Sequence, residues 1–146
     1  MKNTNDFSAD SIDLAILQAL QTDSRQSFAA IGRTISLSAS AVRERVLKME
    51  DTGLIKKYSV TVDYSLLGYD LEAIILVKVF HGKLKPFLAF LPQLKAVQKA
   101  HRITGNQNVH LHVLLKNQLQ LQQLIDSLMD YGDTHTLLVL SEIETN

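Results

Sequence analysis

Ser38, Ser40, Arg43 and Glu44 stand close together in "LSASAVRERVLKME", and Lys48, Lys56 and Lys57 follow a short way along the chain. Arginine can donate two parallel hydrogen bonds to guanine, serine can bond to base or phosphate, and glutamate can accept from cytosine. Lysine grips phosphate as a point charge. On a helical wheel at about 100° per residue, Val42, Val46 and Met49 define a buried side. Ser40, Glu44, Leu47, Lys48 and Asp51 lie opposite, with Arg43 and Arg45 on the two flanks. Ser38, Ser40, Arg43 and Glu44 are therefore expected at the exposed N-terminal part of the helix, the end that a helix-turn-helix sets against base edges. Lys48, Lys56 and Lys57 are expected to meet phosphates. Glu44 can equally orient Arg43 or Lys48.

Such groups need a rigid mount, and the preceding sequence supplies one. Asp10 or Ser11 can cap a first helix, whose Ile12, Ile16, Leu17 and Leu20 share one stripe. A second helix starts near Ser27, with Phe28, Ile31 and Ile35 as its apolar positions. "SLS" at 36–38 interrupts it, Ser38 caps the third helix, and Gly53 closes that helix in a left-handed conformation. In "LIKKYSVTVDY", Tyr58, Val60 and Val62 alternate with smaller polar residues, which predicts a wing strand.

From Gly68 onward the pattern changes. "LEAIILVKVFH" reads as a strand, and "KLKPFLAFLPQL" as a short helix with Pro86 near its start and Pro92 at its end. "VQKAHRIT" and "VHLHVLLK" flank the turn "GNQN" as a hairpin. Residues 118–131 read as a helix burying Leu121, Leu124, Ile125, Leu128 and Met129, and "THTLLVLSEI" as a last strand. The order β-α-β-β-α-β predicts an antiparallel sheet with two helices on one face. The fold class is α+β: an N-terminal winged helix-turn-helix over 1–55, a wing strand and hinge over 56–68, and a ferredoxin-like βαββαβ domain over 69–146. The strands are nearly continuous in apolar residues, which suggests burial on both sides. No further layer remains in the chain to cover the second face, so a second copy is expected there.

Composition narrows the classes without choosing among them. The chain has 146 residues, 46% hydrophobic and 21% charged, with a formal net charge of zero. No global basic field advertises nucleic acid. The basicity is local: 43–57 hold five basic against three acidic residues. There are no cysteines, which excludes disulfides, thiolate metal sites and cysteine nucleophiles and is compatible with a reducing cytoplasm. The polar start "MKNTNDFSAD" lacks the apolar core of a signal peptide, and "AIILV" at 73–77 is far too short to span a bilayer. A cytoplasmic protein with no membrane partner is expected.

The histidines invite a metal or catalytic reading. His110 and His112 project from one face of a predicted strand, and His101 on the neighbouring strand is expected across from His112. Three imidazoles can hold zinc with an open position. The spacing is not diagnostic, and no nearby carboxylate is evident in the sequence to orient the rings, so neither metal nor cofactor is expected; polar positions at a dimer interface are the main reading of these histidines, with pH sensing the remaining one. Pattern alone leaves two readings of the helices open, a DNA reader and a packing or dimerisation module.

The concatenation of motifs adds a resemblance. The "IDxxIL" opening helix, the "DSR" turn, the "LSxSxVxxRVxxME" helix and the exit "GLIKKY" look like the N-terminal half of the Lrp/AsnC (feast/famine) regulators. "HRITGNQNVHLHVLLK" and the closing "THTLLVLSEIET" resemble their effector-sensing RAM-type domain. The resemblance covers almost the whole chain, in order. It implies a regulator of transcription that binds double-stranded DNA, dimerises through the βαββαβ domain and assembles further into octamers. It also implies that an amino acid binds near the turn Thr104, Gly105, Asn106, Gln107 and Asn108. A frequent family form is Gly, an acidic residue, any residue, then Asp; Asn106 and Asn108 stand at the acidic positions, so no carboxylate in the turn awaits a ligand ammonium. Asn108 suits turn stabilisation as well as ligand contact. The architecture also resembles sirohaem decarboxylases, so an alternative is a tetrapyrrole enzyme to which Arg102 and His101 would contribute. No enzyme is expected as the main reading.

Overall fold

The computed structural model describes residues 7–143 and 145. Its internal contacts divide the chain into Met1–Thr61 and Val62–Asn146.

The first unit is three helices, α1 (Ser11–Thr22), α2 (Phe28–Ile35) and α3 (Ala39–Asp51). Each begins where a side-chain oxygen can satisfy orphan backbone N–H groups. Asp10 accepts from the N–H groups of Ile12 and Asp13 at 2.9 Å, and Asp13 accepts in return from the Asp10 N–H at 3.1 Å. Ser27 caps α2 through Ala30 and Ser38 caps α3 through Ala41, both at 3.1 Å. Between them Ser36 takes a left-handed conformation (φ 60) that stops α2, and the Leu37 N–H returns to the Gly32 carbonyl at 2.8 Å. Gly53 (φ 76) follows α3, in the conformation expected of it. Ile16, Ile31, Val42, Val46 and Met49 are buried together. Burial of each contributes about 1.5–3 kcal/mol against exposure.

Arg45 fastens α3 to the start of α1. Its Nη1 lies 2.8 Å from Asp10 and 2.8 Å from Asp13, the latter buried. The Asp13 backbone N–H and the Arg45 guanidinium hold the Asp10 carboxyl below its ordinary value of 3.8. The unfolded chain therefore binds the proton more readily. The stabilisation from Asp10 is present above pH 3.8 and is lost as the pH falls through the lowered value. Thermal melts of the full chain at descending pH should show this acid slope, and Asp10→Asn should flatten it.

The wing strand predicted at Tyr58, Val60 and Val62 does not form within the chain. Residues 56–63 lie outside any helix or strand and lead into a 3-10 turn, Tyr64–Leu67. Alternation prepares a segment for a sheet, but a strand needs a ladder partner, and among the described residues none pairs with it. Tyr58 instead donates its hydroxyl to Glu50 at 2.6 Å. Burial, then that carboxylate, pushes the phenol up to about 12.

The second unit is the βαββαβ sheet: β1 (Leu71–Val79), α4 (Leu84–Phe90), β2 (Val97–Arg102), β3 (Val109–Leu115), α5 (Gln118–Met129) and β4 (Gly132–Leu138). The order is β2-β3-β1-β4, all antiparallel. Ala73, Ile75 and Val77 of β1 and Val109, Leu111 and Val113 of β3 pack against Phe87 of α4 and Leu124 and Leu128 of α5. Met129, expected in this core, is 60% exposed because α5 ends there. The strands alternate; within one chain they are not buried on both sides. The opposite sheet face, carrying Ile74, Leu76 and Leu137, has no layer over it among the described residues. β4 starts at Gly132, ahead of the predicted Thr134, because a side chain there would strike the Lys78 carbonyl; only glycine lets β4 run this close to β1. No described helix is long and apolar enough to cross a membrane.

Candidate nucleic-acid interface and ligand site

The turn after α2 brings α3 out with its N-terminal half exposed. Ser38, Ser40, Arg43 and Glu44 are all exposed there, while Val42 and Val46 on the other side are fully buried. Ser38 Oγ is engaged as the cap and lies 3.1 Å from Ser40 Oγ, so the two hydroxyls act as a coupled pair at the helix end. The side chains of Arg43 and Glu44 make no hydrogen bond or ion pair among the described residues. Rigid backbone, projecting guanidinium and the positive end of the helix dipole make a surface suited to an anionic, hydrogen-bonding polymer.

The predicted phosphate anchors are less uniform. Lys48 sits with its Nζ 5.1 Å from the centroid of the Phe7 ring, a cation–π contact on the α1 side of α3. Lys56 and Lys57 are exposed beside a groove of about 720 Å³ that Arg25 also lines. Arg25 went unnoticed in the sequence because the turn between α1 and α2 is remote from α3 along the chain; its neighbourhood to Lys56 and Lys57 is a tertiary fact. Arg45, on the helix flank, is committed to Asp10 and Asp13.

In the second unit, the residues 104–108 form the β2–β3 turn. Gly105 has φ 117, a backbone requirement as its type suggested. Asn108 is a turn residue: its Oδ1 accepts from Val79 N–H at 3.0 Å, its N–H donates to the Val77 carbonyl, and its carbonyl accepts from Ile103. Asn106 and Gln107 line a pocket of about 210 Å³ with Lys78, Asp133, Thr134 and His135. Thr104, Gly105 and Asn108 do not line it. Lys78 and Asp133 are cross-strand partners of β1 and β4, and neither forms an ion pair among the described residues. The carboxylate missing from the turn is thus present on β4, beside an ammonium. A lysine in the otherwise apolar "AIILVKV" was the available sequence signal; Asp133 needed the register.

The histidine geometry differs from the expectation. A bulge between Val97 and Lys99 shifts β2, so His101 faces His110, and Lys99 faces His112. A carboxylate does orient one ring: Glu72 Oε1 lies 2.6 Å from His112 Nε2. Among the described residues no group of three or more His, Cys, Asp or Glu is placed to hold a metal ion.

Comparison with known proteins agrees with this two-part layout. Residues 10–50 match the AsnC-type helix-turn-helix domain, and residues 72–146 match the Lrp/AsnC ligand binding domain. The chain is 33% identical to the HTH-type transcriptional regulator LrpB of Bacillus subtilis over 92% of its length and 91% of that protein. The structure of B. subtilis LrpC superimposes with a TM-score of 0.90 at 31% identity, covering 96% of this chain and 100% of that one. The L-Met complex of the transcriptional regulator NMB0573 from Neisseria meningitidis shares the fold, with a TM-score of 0.88 at 23% identity over 94% of each chain. The relatives are transcriptional regulators, not enzymes, which sets the tetrapyrrole-enzyme alternative aside.

Proposed function

The chain belongs to the Lrp/AsnC family of DNA-binding transcriptional regulators, with an AsnC-type helix-turn-helix and a ligand-binding C-terminal domain, and from that premise we propose how it reads DNA and what it senses. Ser40 and Arg43 contact base edges in the major groove, with Ser38 holding Ser40 at the helix end and Glu44 exposed beside them to accept from a base. Lys56 and Lys57, with Lys48, anchor the backbone. The observation that carries this reading is the exposed polar N-terminal half of α3, mounted on a buried Val42–Val46–Met49 stripe. Two chains pair through the open sheet faces and higher assemblies up to octamers build on that dimer, which sets two α3 helices at half-sites one helical turn, or a multiple, apart. Residues 1–55 act as the reader, 56–68 as an extended hinge, and 69–146 as the sensing and assembly domain, working in the cytoplasm.

The ligand in this reading is a small α-amino acid at the pocket of Asn106, Gln107, Lys78 and Asp133. Asp133 faces its ammonium and Lys78 its carboxylate, both as charge-assisted hydrogen bonds. A structural relative was solved with L-Met, which supports the ligand class. Such a ligand regulates only by binding one assembly better than another. The test is selection of bound fragments from sheared genomic DNA, repeated with a panel of amino acids. One recurring palindrome, with an amino acid that alters its occupancy, is the expected result. Random recovery in every condition would reject the reading.

A further inference from the structure

Four of the chain's five histidines gather on the open face of the sheet. Strand pairing lines up His101, His110, Leu76 and His135 in one row across β2, β3, β1 and β4, beside the row Lys99, His112, Ile74 and Leu137. The His101 and His110 rings lie 5.6 Å apart between centroids. His110 Nδ1 is buried and has no hydrogen-bond partner among the described residues. Lys78 and Asp133 face the same side at one end of the sheet and Glu72 at the other.

We propose that this face is a proton-controlled interface between two copies of the chain, closed when His101, His110 and His135 are neutral and opened when they are charged. The inference rests on the assembly reading above and adds its regulation. With neutral imidazoles the face carries two carboxylates, Glu72 and Asp133, against two ammonium groups, Lys78 and Lys99. That balance around Ile74, Leu76 and Leu137 lets an identical face cover it without net repulsion. Protonating the three histidines adds three positive charges to each copy, and the strands offer no further carboxylate on this side. His101 and His110 then repel each other, and the two faces, each now net positive, repel as wholes. Covering a charged imidazole in an apolar layer is itself unfavourable. His112 stands apart from these three, its Nε2 2.6 Å from Glu72 Oε1.

The direction follows from proton counting. Separated copies bind more protons than the assembled pair, so acid favours separation and assembly weakens as the pH falls. Sedimentation velocity of the full chain from pH 8 to 5.5, with circular dichroism confirming an intact fold, reads this directly. Self-association should weaken at least about tenfold over that range. Replacing His101, His110 and His135 together by Gln should hold the assembly constant, and His112→Gln should keep the response. His135→Gln alone, at an exposed position, should lessen the response even if the triple variant assembles poorly. An assembly indifferent to pH would overturn the proton control and leave the pairing standing. A chain monomeric at every pH would overturn the pairing as well. An acid response unchanged in both the triple and the His135→Gln variants would overturn the assignment to these histidines.

Discussion

On its specific operator, Arg43→Ala should weaken binding by about 1–3 kcal/mol, a loss of roughly fivefold to 150-fold, while binding to random DNA changes little. The asymmetry is the point. Arg43 stands exposed on the N-terminal half of α3, on a helix whose other side is pinned by Val42 and Val46. A guanidinium held there can form two parallel bonds to one guanine, and truncation removes discrimination at that base pair only. Lys57 supplies the contrast. Its removal should lower affinity for all sequences alike and reduce the salt slope of binding by about one unit. Fluorescence anisotropy on operator and random duplexes across a salt series separates the two behaviours. Equal losses on both duplexes would move Arg43 to the phosphate backbone.

The reader domain was legible because its signals are local. Ser27 and Ser38 announce their helices by capping, and Val42, Val46 and Met49 repeat at helical spacing, so each could be recognised without knowing what lies across the core. The extended run after Gly53 was misjudged for the converse reason: Tyr58, Val60 and Val62 alternate as a strand does, but pairing depends on a partner that local sequence does not specify. The same limit governed the proposed ligand site. Asn106 and Gln107 were visible in the turn, whereas Lys78 and Asp133 meet only through the β1–β4 register. One bulge on β2 was enough to move His101 from His112 to His110. Register is a long-range property, and every residue whose role depends on it was hidden.

Gly32 depends instead on a contact only five residues along the chain, and its replacement should be the most damaging single methyl group in the first unit. On an exposed helix position Gly→Ala would gain about 1 kcal/mol of helix propensity. Gly32 is buried on α2, and a Cβ there would collide with the Leu37 carbonyl oxygen and stand 3.3 Å from the Leu37 carbonyl carbon. These are main-chain atoms that cannot rotate away. The turn that carries them is held by the Leu37 N–H bond to Gly32 itself at 2.8 Å and by the left-handed Ser36. Relief requires α2 and the start of α3 to separate, which opens the packing of Ile31 against Val42 and Val46. Overpacking against a fixed backbone sets the net cost at about 3 kcal/mol, comparable with the whole stability of a helical unit this small, of order 5 kcal/mol. Gly32→Ala should therefore leave a margin of only about 2 kcal/mol, lower the melting temperature of the first unit and raise protease cleavage within residues 7–61, while the β-sheet signal of the second unit persists. Gly53→Ala is the matched comparison: its Cβ would meet nothing within 4 Å, leaving only the left-handed strain of about 1–2 kcal/mol. If Gly32→Ala melted no earlier than Gly53→Ala, the close approach of α2 to the inter-helix turn would not be what fixes the angle of α3.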